Sequence, residues 1–296
     1  MASSAPTQAA EPLAPRVRAG ATAWAGAPTA SAPSVRRSPW WVELLIIAWL
    51  AWIYDIVTNL APLRVHVAIG HAWGIWHAEQ ALHLDPELTL NRWLTAHHTL
   101  AVVASYYYDN AHFIVTFGLL GYLWWRRPDI YRPLRNTLVL VNVLAFIVFW
   151  RFPVAPPRML PGFTDVVASS GAFGSWHTGA LASHANQLAA MPSLHIAWAL
   201  WCTLAVWRLT TSAPLRALAV LYPLLTTLAV LATGNHYLLD VIAGALTLVL
   251  AAACVAATQA LAARPVARPH PCTAPARLLA GARGACHKVV TKSPNG

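Results

Sequence analysis

The chain has 296 residues, 57% of them hydrophobic and 10% charged, with 15 tryptophans and a formal net charge of +10. Soluble domains carry about 25% charged residues, so this composition describes an integral membrane protein. The basic residues form short clusters between apolar runs, a pattern suited to anionic headgroups and topology control that excludes nucleic acid as a partner.

Residues 1–38 are rich in Ala, Pro, Ser and Thr and lack the aliphatic bulk to order themselves, which predicts a disordered tail. No apolar run precedes Pro39, so the tail does not read as a signal peptide. Trp40–Thr58 is the first predicted span, anchored at the interface by Trp40 and Trp41. Asp55 inside it calls for a polar partner. Pro62–His83 follows as an amphipathic interfacial segment. Its His66, His71, His77 and His83 are spaced five, six and six, which does not align metal ligands on one helical face.

The second span includes Phe113–Trp125 and extends back to about Thr99, because a crossing takes about 20 residues. Tyr106–His112 near its outer end reads as a capped or interfacial helix start, with Asn110 and His112 as possible secondary substrate contacts. Leu138–Trp150 is the third span, flanked by snorkelling Arg135 and Arg151. His177 and His184 sit on a Gly/Ser/Ala-rich loop and read as lid residues. Ser193–Leu209, Leu215–Leu231 and Tyr237–Thr258 complete six. Residues 261–296 form a basic, disordered tail, leaving 39–260 as the membrane domain. Cys202 and Cys254 read as small hydrophobes and Cys272 and Cys286 lie in the tail, so no disulfide framework, metal site or cofactor is expected.

Arginine placement orients the domain. Arg36, Arg37, Arg126, Arg127, Arg132, Arg135, Arg208, Arg216 and the C-terminal cluster share one side if there are six crossings, which makes both termini cytoplasmic. The expected fold is therefore all-α: six transmembrane helices in a four-to-six-helix bundle, in the plasma (inner) membrane. Its active site faces the outer leaflet, on the periplasmic or extracytoplasmic side.

Three polar clusters fall at the outer ends of spans. Arg151 and Arg158 follow the third, Pro192-Ser193-Leu194-His195 opens the fourth, and His236 with Asp240 opens the sixth. Asp240 is the only acidic residue after Asp165, and a charge entering a membrane helix usually has a partner and a function. Four residues separate it from His236, so carboxylate and imidazole share one helical face. Two guanidiniums, two imidazoles and a carboxylate supply the parts for metal-free phosphoryl transfer. Taken singly, the clusters have duller explanations: Arg151 and Arg158 as headgroup anchors, and His195 as a packed core histidine.

The three clusters resemble the type 2 phosphatidic acid phosphatase superfamily, which also contains the vanadium haloperoxidases. Arg151-x6-Arg158 has the spacing of Lys-x6-Arg-Pro, Pro192-Ser193-Leu194-His195 is similar to Pro-Ser-Gly-His, and His236-x3-Asp240 matches the end of Ser-Arg-x5-His-x3-Asp. The runs Phe-Pro-Val-Ala-Pro-Pro-Arg, Pro-Ser-Leu-His and His-Tyr-x-x-Asp are most similar to the branch containing inositol phosphorylceramide synthase. The resemblance implies His236 as the nucleophile, Asp240 as its orienting carboxylate and His195 as the general acid. It implies Arg151, Arg158 and Ser193 as phosphate ligands and a lipid phosphate as substrate, cleaved by a phosphatase or phosphotransferase. The family's third-motif arginine falls at Val230 and its serine at Ala229. That departure supports the alternative of a catalytically weak or inactive lipid-binding scaffold. The sequence leaves the oligomeric state open.

Overall fold

A backbone surrounded by hydrocarbon must hydrogen-bond to itself, so long apolar runs fold as helices. The computed structural model describes residues 37–60, 64–171 and 187–263. In chain order the helices are α1 (Trp40–Leu60), α2 (Val65–Leu82), α3 (Glu87–Thr95), α4 (His98–Arg126), α5 (Pro128–Arg151), α6 (Val166–Ser169), α7 (Leu194–Leu209), α8 (Ala213–Ala232) and α9 (Leu238–Ala262), with a 3-10 turn at Pro157–Met159. Among the described residues the only β pairing is an isolated bridge between Val154 and Ala189. The expected tails fall almost wholly outside the described residues, as do the lid histidines His177 and His184.

Each expected span corresponds to a helix. Four of them, Trp40–Asn59, Pro128–Arg151, Ala213–Ala232 and Leu238–Ala262, are long and apolar enough to cross a membrane. The 16 residues of α7 reach about 24 Å at 1.5 Å per residue, short of the roughly 30 Å hydrocarbon core. The 29-residue α4 is long enough but carries the polar run Tyr106–His112.

Three differences from the sequence reading stand out. Helix α5 begins ten residues before Leu138, because Pro128 is pre-set for a first helical turn and Arg127 closes on Asp129 at 2.8 Å. Residues 87–95 form a helix that periodicity did not suggest. In α2 the residues Ala68, Ala72, Ile75, Trp76 and Glu79 form one buried face, so it packs inward rather than lying only at an interface.

Lipid offers no hydrophobic driving force between helices, so close packing of small residues holds membrane bundles together. Buried Ala197, Ala205 and Ala251 let α7 and α9 meet α5 around Trp201. The Trp201 indole, fully buried, donates to the Leu134 carbonyl at 2.8 Å. Helix α1 rests on α5 through Val57, Phe146 and Phe149. At its other end Glu43 meets Arg135 at 2.8 Å, so that arginine is paired rather than snorkelling. Asp55 finds its partner in Asn59, whose amide donates to it at 3.0 Å.

The start of α9 is the most constrained part of the bundle. Its first-turn N–H groups have no partners within the helix, and three buried carboxylates take them. Leu239 N donates to Glu79 Oε1 at 2.6 Å, Leu238 N to Glu87 Oε1 at 2.6 Å, and Tyr237 N to Asp240 Oδ2 at 2.9 Å. Glu79 and Glu87 sit close enough for their charges to repel, the Oε2 of each has no hydrogen-bond partner among the described residues, and all three acids are fully buried. Burial raises Glu79 to about 8 and Glu87 to about 7, reinforced by the nearby Asp240 charge and opposed by the backbone N–H bonds. One turn on, α9 touches the backbone before α7. A Cβ on Gly244 would lie 2.4 Å from the Ser193 carbonyl oxygen, and Ser193 N donates to Asp240 O at 3.1 Å.

Gly244→Ala therefore pushes α9 away from Ser193. The expected cost is about 1–3 kcal/mol, as for overpacking, seen as a lower melting temperature in detergent. Gly118→Ala, with open space around it, should leave the melting temperature unchanged or raise it. The acid pair gives a pH signature. Unfolded glutamates ionise near 4.5, while the native pair holds its protons to about 7 and 8. In that window the native state binds more protons than the unfolded state, so stability falls as pH rises from about 4.5 to 8. Glu79→Gln, which mimics the protonated acid, should flatten this slope in melting temperatures measured at pH 5 and pH 8.

Candidate active site

Chain segments far apart in sequence are pinned around one cavity. After α5 ends at Arg151, Ala155 N donates to Ala68 O at 3.1 Å and Val154 N to Leu188 O at 3.0 Å. Ala190 N donates back to Val154 O at 3.2 Å. The 3-10 turn then presents Arg158, whose N donates to Gly234 O at 2.8 Å. Gly234 has φ +74°, and a Cβ there would meet the Asn91 amide at 3.0 Å and Thr164 O at 3.2 Å. Only glycine meets both conditions. Fully buried Asn91 ties the two loops together: its Nδ2 donates to Thr164 O at 2.9 Å and Ala232 O at 3.1 Å, and its Oδ1 accepts from Thr164 N at 2.8 Å.

Arg158 is held as a fork. Its Nε lies 3.1 Å from Asp165 Oδ2, one terminal nitrogen donates to Asn235 Oδ1, and the other donates to Gln187 Oε1. A guanidinium has five N–H donors. Among the described residues three are engaged, which leaves one on each terminal nitrogen, a pair suited to two oxygens of a phosphate. Burial lowers the Arg158 pKa, with nearby Asp165 and Tyr108 opposing the shift. A bound anion would replace the hydration that this guanidinium has lost.

His236 is buried and lines the same cavity. Its Nδ1 is 2.9 Å from Ala190 O and 3.4 Å from Asp240 Oδ2. Both neighbours are acceptors, so Nδ1 carries the proton and Nε2 keeps its lone pair. The carboxylate expected as the ring's partner is thus the more distant of two acceptors. Its Oδ2 also accepts the Tyr237 N–H, and its Oδ1 has no hydrogen-bond partner among the described residues.

His195, in the first turn of α7, lies edge-on to His236 with ring centroids 5.5 Å apart. Tyr108 stacks on its other side at 4.4 Å, and His112 packs against it at 4.3 Å. His112 Nδ1 is 3.1 Å from Tyr108 O.

The structure brings His236, Asp240, His195, Arg158 and His112 together. It does not bring Arg151 or Asn110. Arg151 is exposed at the end of α5 and lies outside the cavity wall, because the chain leaves the helix there and five residues pass before the turn that aims Arg158. Asn110 is exposed and its amide donates to Tyr106 O at 3.0 Å. Residues 108, 109, 112 and 113 face the cavity, and position 110 falls on the opposite side of the helix. Ser193 is fully buried just behind the wall, with no partner for its hydroxyl among the described residues. Val230, at the position of the missing arginine, packs in an apolar cluster with Ile196 and Leu231. Its carbonyl accepts from Asn235 N at 3.1 Å and His236 N at 3.3 Å, so it shapes the turn before the histidine. Gln187, Asn235, Asp165, Glu79, Glu87 and Asn91 escaped the sequence reading. For the acids the available signal was scarcity, since the chain has only 10 acidic residues.

No curated protein and no solved structure matches the chain significantly. Residues 73–254 match the family model described as the PAP2 superfamily. The match covers more than half of the chain and takes in Arg158, His195, His236 and Asp240. The chain belongs to the PAP2 superfamily.

Proposed function

We propose that this protein is a membrane enzyme that cleaves a lipid phosphate ester through a phosphohistidine on His236, with no metal required. The observation that carries this reading is the position of His236 Nδ1, 2.9 Å from Ala190 O and 3.4 Å from Asp240 Oδ2. With Nδ1 committed to Ala190 O and Asp240, the Nε2 lone pair remains for attack in a cavity shared with Arg158 and His195. Superfamily membership supports phosphoric-ester chemistry.

In the first step Nε2 attacks phosphorus and the phosphorus–oxygen ester bond breaks. His195 gives its proton to the departing oxygen, and the two remaining Arg158 donors hold the charge that develops on phosphorus-bound oxygens. The Ala190 carbonyl and Asp240 stabilise the imidazole as it gains positive character. In the second step His195 takes a proton from water or from an acceptor hydroxyl. That oxygen attacks phosphorus, the phosphorus–nitrogen bond breaks and His236 is restored. Water as acceptor makes the enzyme a phosphatase. A lipid or polyol hydroxyl makes it a phosphotransferase of the inositol phosphorylceramide synthase-like kind. The missing arginine at Val230 is answered by Arg158, whose three-sided anchorage fixes one guanidinium where two would otherwise share the task.

The arginine distribution supports six crossings of the plasma membrane, with α4 and α7 added to the four long apolar helices. Both termini are then cytoplasmic and the site opens toward the outer leaflet.

His236→Ala should abolish phosphate release from phosphatidic acid presented in detergent, and with it any acid-labile phosphoenzyme trapped by rapid quench. Unaltered turnover would end this reading. Arg158→Lys should lower kcat about 10²–10³-fold, the cost of losing a preorganised donor pair. Activity should persist in a chelator. His195→Ala should recover the first step, though not full turnover, on a substrate whose leaving group needs no proton.

A further inference from the structure

The cavity that holds His236 does not end at the phosphate site. It continues between α1, α4 and α5 to Glu43, Tyr131 and Arg135. Along α5 its wall runs from Tyr131 to Phe149, about 27 Å at 1.5 Å per residue, against a hydrocarbon core about 30 Å thick. Between the two polar ends the walls are mostly apolar, with Ile47 and Leu50 from α1, Phe113 and Phe117 from α4, and Leu138 and Val139 from α5; the polar Asn142 among them turns its amide onto Leu138 O at 2.8 Å. The lining of α1 falls at Glu43, Ile46, Ile47, Leu50, Ala51 and Tyr54, one helical face along the length of the cavity. The cavity volume is about 430 Å³, drawn out over the roughly 27 Å between its ends.

The floor is polar. Glu43 and Arg135 pair at 2.8 Å with each side chain 15% exposed, and the Arg135 guanidinium lies 5.8 Å from the Tyr131 ring centroid. A hydrocarbon tip gains nothing by displacing an ion pair, since both charges would lose their partner in a low-dielectric setting.

We propose that this cavity holds an extended hydrocarbon chain of the phosphate-bearing lipid, and that the Glu43–Arg135 pair forms a stop that sets the longest chain accepted. The proposal rests on reading the outer end as a lipid-phosphate site. Selection works by exclusion: a chain leaving the bilayer exchanges one apolar environment for another, so a longer chain gains no affinity and meets the floor. Glu43 and Arg135 touch neither the phosphate nor His236, and they act as specificity determinants.

The test compares kcat/KM for phosphatidic acids with octanoyl, lauroyl, palmitoyl and behenoyl chains in mixed micelles. Val139→Trp, which plugs the inner half of the cavity, should lower the palmitoyl-to-octanoyl ratio of kcat/KM at least about 10-fold, the equivalent of 1.4 kcal/mol. Glu43→Ala combined with Arg135→Ala, which opens the floor without leaving a lone charge, should raise the behenoyl-to-palmitoyl ratio. Leu246→Trp, on an exposed face of α9, serves as the control and should move neither. A non-hydrolysable phosphonate lipid with a diazirine at the chain tip gives a readout independent of turnover. Its label should fall on peptides containing Ile46, Ile47 or Val139. Label spread over exposed helix faces, or a ratio that Val139→Trp leaves within two-fold, overturns the chain site even if phosphate is released normally. Label at the floor with no phosphate released from any lipid upholds the chain site and overturns the phosphatase reading.

Discussion

Three backbone N–H groups at the start of α9 meet three buried carboxylates, and the placement of the histidine depends on that contact. The N-terminus of a helix carries partial positive charge and unpaired donors, and inside a bundle no water reaches them. Glu79 from α2, Glu87 from α3 and Asp240 from α9 itself supply the acceptors. Two of the three come from helices that precede the first motif arginine in sequence. The contact therefore clamps the first part of the domain to its last helix. The acids also disfavour an anion at the start of α9.

The same economy runs through the scaffold. Where lipid provides no hydrophobic drive, backbones must come close, and Gly244 against Ser193 is the closest such approach. It sets Asp240 and Ser193 side by side, so the opening of α7 and the opening of α9 move as one. Asn91 does for the loops what Gly244 does for the helices, joining Thr164 to Ala232 across the stem of the Arg158 turn. His236, His195 and Arg158 thus come from segments whose backbones are bonded to one another. For the proposed reaction, this meets the requirement that a catalytic group be held by its surroundings rather than by its own rotamer preference.

Much of the helical architecture was legible because it follows from a local rule: an apolar run of sufficient length must be a helix in hydrocarbon. The His236–Asp240 spacing was legible for the same local reason, since one turn of helix determines which side chains share a face. Arg151 and Asn110 were misread where local rules end. Arg151 has the right spacing to Arg158, but the chain leaves the helix between them, and spacing across a loop carries no direction. Asn110 lies next to residues that do face the cavity, and a rotation of about 100° per residue takes it to the outside. Glu79, Glu87 and Asn91 act on partners more than 70 residues away, and no periodicity reports such a pairing.

By itself the sequence determined the class of the protein: helical, membrane-embedded, with histidine, arginine and carboxylate gathered at helix ends. Those features are written in hydropathy and in short spacings. Only the tertiary structure decided which arginine reaches the cavity, that His236 leans first on a backbone carbonyl and second on Asp240, and that the cavity runs on past Arg158 and His236 to an ion pair. Each of those outcomes depends on where a backbone carbonyl or a helix face lies relative to a distant segment. Such positions follow from packing of the whole bundle, in which a few close contacts between small residues and buried polar groups select one arrangement among many apolar ones.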